Sequence, residues 1–118
     1  MVNRLRTVME AETQRLLQLL RTGGFWYRDQ YRYDATPWDI NNGCCEDWAE
    51  AVASQVRGAY VLWLDDDEDA PHYCRHCVID YRRRYYDADC LDGVDDVMDL
   101  PILKGKKRPR GRRLLRPA

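Results

Sequence analysis

The sequence predicts an α+β domain in which two helices pack on a small antiparallel sheet of three or four strands. Three observations lead there. Two stretches carry apolar residues at the 3.6-residue period of a helix, each bounded by capping residues. Three shorter stretches are rich in β-branched and aromatic residues. The chain has 118 residues, 45% hydrophobic and 33% charged, which suits one globular domain and excludes a wholly disordered chain.

The first helix spans residues 3–22. Leu5, Val8, Met9, Leu16, Leu19 and Leu20 form its stripe, and Gly23-Gly24 ends it. Packing against the body is its expected role; a membrane-surface helix is the alternative. Residues 25–38 hold Phe25, Trp26, Tyr27, Tyr31, Tyr33 and Trp38 among charged residues, and read as a loop or short strand covering the core, with a substrate-binding wall as the alternative. The second helix spans residues 43–57, with Asn42 as its N-cap and Glu46 and Asp47 in its first turn, where carboxylates suit the helix dipole. Its stripe is Cys45, Trp48, Ala49, Val52, Ala53 and Val56. At ~100° per residue, Cys45 lies within about 20° of the stripe centre and Cys44 about 100° away. Residues 59–64 read as a strand. The run Asp65 to Asp69 reads as a solvated acidic loop, with divalent-cation binding as the alternative. Residues 76–81 and 84–90 read as a hairpin turning at Arg82-Arg83. An acidic loop over residues 91–99 and a short edge strand over Leu100 to Leu103 complete the body.

Charge divides the chain. Residues 104–118 hold eight Lys and Arg and no acid, so residues 1–103 carry the other 11 bases against all 20 acids. A net charge of -1 hides a body at -9 and a tail at +8. We therefore expect one domain over residues 1–103 and a basic, flexible tail over 104–118. The acidic body argues against nucleic-acid binding by the fold itself. The tail either makes a weak, salt-sensitive contact with nucleic acid or an acidic partner, or folds back on the body. No stretch approaches the roughly 18 apolar residues of a membrane span, and the first residues lack a signal peptide. The expectation is a cytoplasmic protein without membrane contact. The five cysteines, Cys44, Cys45, Cys74, Cys77 and Cys90, are odd in number, and read as reduced thiols before a disulfide framework.

The chemistry centres on Cys45. A cysteine in the first turn of a helix, facing inward, has its thiolate stabilised by the positive helix end. Backbone N–H groups there, with an Asn41 or Asn42 amide, form a candidate oxyanion hole. A thiolate nucleophile wants an imidazole. His76 opens a strand, and His72 sits in the loop before it. Pairing about an Arg82-Arg83 turn opposes His76 to Asp89 and Val78 to Asp87, which puts His76, Asp87 and Asp89 on one face. Either acid is then placed to orient the imidazole.

These residues resemble the papain-like thiol hydrolases, in particular their small transglutaminase-like and amidohydrolase-like members. The order is a Cys at a helix start, a His at a strand start and an Asp on the next strand. Asn42-Gly43-Cys44-Cys45-Glu46-Asp47-Trp48-Ala49 looks like the nucleophile helix. His76-Cys77-Val78-Ile79-Asp80-Tyr81, followed by Arg84-Tyr85-Tyr86-Asp87-Ala88-Asp89, looks like the hairpin. The chain is similar also to small proteins of phage genomes, for which the host cytoplasm would be the site of action. The resemblance covers roughly residues 38–102. It implies a papain-like minimal core, Cys45 as nucleophile, His76 as general base and acid, and Asp87 as the orienting group, with Asp89 as substitute. The implied activity is a thiol-dependent hydrolase or acyltransferase acting on an amide (peptidase, amidase or deamidase), on a protein or peptide substrate, with no cofactor and no metal.

Two alternatives stand beside it. One is a non-catalytic binding protein of the same fold that inhibits a host factor. The other is a zinc-stabilised module built on Cys74-x-x-Cys77, with Cys90 and a His from His72 and His76.

Overall fold

The computed structural model describes residues 3–24, 31–65 and 75–114. Asp66 to Asp69, His72, Cys74 and the aromatic group Phe25, Trp26 and Tyr27 lie outside the described residues. Three α-helices and five strands form the domain: α1 (Arg4–Thr22), α2 (Pro37–Asn41), α3 (Cys45–Gln55), β1 (Tyr60–Asp65), β2 (Arg75–Tyr81), β3 (Arg84–Asp87), β4 (Cys90–Val94) and β5 (Arg110–Arg113). Two 3-10 turns, Val97–Asp99 and Pro101–Leu103, lie between β4 and β5. The α+β class matches the sequence reading, with one helix and at least one strand more than expected.

Local chemistry accounts for the elements. Asn3 caps α1 by accepting the Arg6 N–H (3.3 Å), and Gly23, at φ 70°, ends it in a left-handed C-cap. The extra helix α2 starts at Thr36-Pro37-Trp38-Asp39. Pro37 sits at its first position, and the Asp39 carboxylate accepts the Thr36 N–H (2.7 Å), half of a capping box. The sequence reads residues 25–38 as a loop or short strand; residues 31–36 are irregular, and the capping pattern turns only Pro37 and Trp38 into helix. Trp38 is 46% exposed and Tyr33 75%, so these aromatics do not cover the core.

The second expected helix begins two residues late. Asn42 is not its N-cap; it closes α2, its side-chain amide donating to the Trp38 carbonyl (2.8 Å). Cys44 is the N-cap of α3 and offers no side-chain cap. The buried stripe of α3, Trp48, Ala49, Val52 and Ala53, is the one its periodicity predicts. Trp48 Nε1 donates to Thr13 Oγ1 (2.9 Å), tying α3 to α1.

The sheet order is β4-β3-β2-β1-β5, with every neighbouring pair antiparallel. The hairpin turns at Arg82 and Arg83, both in the left-handed region at φ 50° and 66°, as a two-residue hairpin loop requires. Its register, Ile79 with Tyr86 and Tyr81 with Arg84, is the predicted one. The second arm is shorter than residues 84–90. It ends at Asp87, turns at Ala88-Asp89 and returns as β4, with Asp87 opposite Cys90. The predicted opposition of His76 and Asp89 therefore does not form.

Leu100 to Leu103 is not an edge strand. It forms part of a strap of two 3-10 turns, where Leu100, Ile102 and Leu103 bury against Leu64 and Val78. The added edge strand is β5, from the basic segment. It pairs with β1, and the Leu114 N–H donates to the Val61 carbonyl (2.9 Å). Of the two readings of that segment, folding back describes residues 104–114. Arg108 pairs with Asp96 (2.9 and 3.1 Å) and Arg113 with Asp80 (2.9 Å).

The sheet thus has two different faces. One carries Val61, Cys77, Ile79 and Tyr86 against α1 and α3, in the main apolar cluster. The other carries His76, Val78 and Asp87 on alternate positions under the strap. No helix among the described residues is long and apolar enough to cross a membrane.

Candidate active site

Helix α3 points its N-terminus at the start of β2. A short element aims it: α2 ends at Asn41, and the Cys44 N–H donates to the Ile40 carbonyl (2.9 Å), so the chain enters α3 with little freedom. The two adjacent cysteines then separate. Cys44, outside the helical turn, is buried in the main core at 2% exposure. The 100° offset expected for it applies only within a helix, and Cys44 is not in one. Burial, with Asp47 and Cys45 nearby, pushes its thiol up to about 12, so it is an inert core group.

Cys45, the first residue of α3, is partly exposed. Its Sγ accepts the Cys77 backbone N–H at 3.4 Å. The early end of β3 makes this contact available. The hairpin register would bring Ala88 opposite Cys77, but β3 stops at Asp87, leaving that N–H outside the ladder. The Cys45 thiol lies well below the ordinary thiol range. The largest cause is the Cys77 thiol beside it, which donates to the Cys45 sulfur; burial opposes, and the His76 imidazole adds to the lowering. Cys77 moves in the opposite direction, because its proton is held by the neighbouring thiolate and its site is buried. Of the two, Cys45 is the one that ionises: it stands at a helix N-terminus, faces the imidazole and is the more exposed.

His76 projects from the other face of β2 and is 4% exposed. Its Nε2 stands 3.6 Å from Asp87 Oδ2. That is a charge contact, longer than a hydrogen bond; such contacts are commonly loose before substrate binds. With Nε2 toward Asp87, Nδ1 is the nitrogen left for the thiol. Burial works against the imidazolium, but Asp87 and the Cys45 thiolate outweigh it and raise His76 to about 9. Asp87 is fully buried, and its Oδ1 accepts the Asp89 N–H (2.9 Å) across the tight turn. That turn fixes the carboxylate and aims Oδ2 at His76. The Asp89 side chain is exposed, and Asp89 contributes its backbone instead.

Cys45 and His76 open on one cavity of about 200 Å³, lined also by Asn41, Asn42, Gly43, Leu64, Ile102, Leu103, Lys106, Lys107 and Pro109. Asn41 is 4% exposed, and neither its Oδ1 nor its Nδ2 has a hydrogen-bond partner among the described residues. His76 Nδ1, His76 Nε2 and Asp87 Oδ2 share that condition. Buried polar atoms without partners are costly and rare, and four of these five belong to side chains that line the cavity. The Asn42 amide, by contrast, is committed to the Trp38 carbonyl. A second cavity of about 270 Å³ lies on the other side of Cys45, lined by Glu46, Asp47, Trp63 and Cys77 among others.

The structure thus assembles Cys45, His76, Asp87 and Asn41, and leaves Asn42 and Asp89 with structural contacts. The Cys77 N–H and the two lysines were missed from sequence. The N–H depends on where β3 ends, and the lysines reach the cavity only because β5 docks. Among the described residues, no three His, Cys, Asp or Glu side chains converge on a metal position. Cys77 packs in the helix-side cluster and Cys90 against the strap-side cluster, so those two zinc candidates face opposite sides of the sheet; Cys74 and His72 lie outside the described residues.

No family model matches the chain, and no solved structure matches it. The chain is similar to Theromacin of Theromyzon tessulatum, at 40% identity over 53 residues, 45% of this chain and 50% of that protein. It spans about half the length of the curated relative it matches.

Proposed function

We propose that the protein is a thiol-dependent hydrolase or acyltransferase acting on an amide of a peptide or protein. The observation that supports this most is that His76, backed by the buried Asp87, opens on the same cavity as a thiol at a helix start. The papain-like order of Cys, His and Asp fits the same reading.

The Cys45 thiolate attacks the amide carbonyl carbon, and the C=O electron pair moves to oxygen. The first-turn N–H groups of α3 lack intrahelical partners, and Asn41 Nδ2 is unpaired; together they are suited to hold that oxyanion. As the tetrahedral species collapses, the C–N bond breaks and His76 gives its proton to the departing nitrogen, leaving a thioester on Cys45. Neutral His76 then takes a proton from water or an acceptor amine, which attacks the thioester and releases the thiolate. Asp87 stabilises the imidazolium and sets the tautomer of the neutral imidazole. The reaction needs a reduced thiol, and a reducing intracellular compartment fits that need.

The test is the pH dependence of iodoacetamide alkylation at each cysteine, read by peptide mapping. Cys45 is expected to react fast at about pH 6, where an ordinary thiol of pKa ~8.5 is almost wholly protonated. A Cys45 rate that follows an ordinary thiol titration would sink the proposal.

A further inference from the structure

Among the described residues, the charge lining the cavity is the reverse of the charge on the body. Residues 1–103 carry a net charge of -9, yet among the described residues no carboxylate lines the cavity shared by Cys45 and His76. Two lysines do, Lys106 and Lys107, both exposed at its rim. Their place is set by the fold on both sides. Upstream, the Lys106 N–H donates to the Leu103 carbonyl (3.1 Å), with Gly105 at φ 78° making the bend. Downstream, Arg108 is held by both oxygens of Asp96, and β5 docks on β1. The basic segment uses its charges in two ways. Arg108 and Arg113 neutralise Asp96 and Asp80. Lys106 and Lys107 make no ion pair among the described residues.

The opposite approach to Cys45 has the opposite sign, with Glu46 and Asp47 on its wall. A substrate charged near its reacting bond is therefore sorted by side. Anionic groups are drawn to the lysine side and repelled from the other. The unpartnered Asn41 side chain on the lysine side marks that opening as the one built to receive a polar ligand.

Resting on the thiol-amide reading above, we infer that the substrate is an acidic peptide, with an Asp or Glu carboxylate next to the reacting amide held by Lys106 and Lys107. These two lysines are specificity-determining groups. They touch the substrate away from the bond that changes.

The experiment uses three peptidyl acyloxymethyl ketones that differ only in the residue beside the reactive carbonyl: Asp, Asn or Lys. Each is read as the rate of Cys45 modification in the full chain. The Asp probe is expected to label about tenfold faster than the Asn probe at low salt, and the Lys probe slowest, with the spread shrinking at about 0.5 M NaCl. In a Lys106→Gln, Lys107→Gln double variant the Asp preference is expected to vanish. Equal Asp and Asn rates in the native chain, or a preference that survives in the double variant, overturns the inference. Iodoacetamide alkylation, which needs no carboxylate contact, is measured in parallel. If Cys45 reacts with it no faster than an ordinary thiol at about pH 6, the thiolate reading itself fails and the substrate assignment falls with it.

Discussion

The two faces of the sheet do different work. The helix face buries Val61, Cys77, Ile79 and Tyr86 against α1 and α3, in a cluster that also takes in Trp48, Leu5, Met9 and Leu16. The strap face buries His76, Asp80 and Asp87 beside Leu64 and Val78 under a thin cover of Leu100, Ile102 and Leu103. Among the described residues, the buried imidazole and carboxyl groups of the sheet all lie on the strap face. A continuous apolar interface tolerates no unpaired charge, because burying one costs more than packing returns. A thin strap over a cavity leaves a polar group buried yet within reach of a ligand. Cys45, at the edge of α3 and the notch left by β3, connects the two.

Substitutions on each face break this comparison differently. The largest effect is expected at Trp48. It is 1% exposed and holds α3 to α1 through Thr13, so Trp48→Ala is expected to cost about 3–5 kcal/mol in denaturant unfolding. Cys45 is expected to lose its low-pH reactivity only as the chain unfolds.

On the strap face the order reverses, with reactivity moving more than stability. His76→Ala is expected to slow Cys45 alkylation at about pH 6 by at least ~10-fold, equivalent to about 1.4 kcal/mol, while the circular-dichroism spectrum stays native. An unchanged rate would show that Cys77 and the helix end suffice to ionise the thiol. Asp87→Asn carries a pH signature. Asp87 helps raise His76 to about 9, so the imidazolium adds stability that is fully present below the ordinary imidazole value of ~6.5 and is lost as pH rises through about 9. The stability gap between native and variant chains is therefore expected to narrow across that window. A gap independent of pH would mean that Asp87 serves only the Ala88-Asp89 turn.

The smallest effect belongs to neither face. Arg82 and Arg83 hold positive φ without the freedom of glycine. Replacing the pair by Asn-Gly is expected to stabilise the hairpin by about 1 kcal/mol in thermal or denaturant unfolding, with Cys45 reactivity unaltered.

The sequence pattern made the helix face largely legible. The stripes of α1 and α3 follow the helical period, and the hairpin register follows from its turn. The strap face was legible in its residues and not in its path. Asp87 stood out beside His76, but nothing local in Asp87-Ala88-Asp89 announces that β3 ends there; the turn depends on Asp87 accepting the Asp89 N–H. Asn42 reads as an N-cap from its type, yet α2 claims it first. The Thr36 and Asp39 capping pair was available and signals α2. Arg110-Gly111-Arg112-Arg113 has almost no strand propensity. Its pairing comes from the exposed edge of β1 and the acids beneath, a tertiary effect that no local pattern carries.

The hairpin register has a consequence for how the chain reaches its reactive state. His76 and Asp87 lie 11 positions apart across a two-residue turn, whereas Cys45 reaches them from 31 positions before His76. Short loops close with less entropy loss than long ones, and hairpins form within microseconds. The acid-base pair is therefore expected to form before α3 docks, with the thiol meeting it last, an order that φ-values in the hairpin and in α3 would check. Until that docking, Cys45 is an ordinary cysteine, mostly protonated at neutral pH and slow toward electrophiles. Incompletely folded chains, the ones most exposed to other molecules, carry a quiet sulfur, and nucleophilicity switches on with the completed fold.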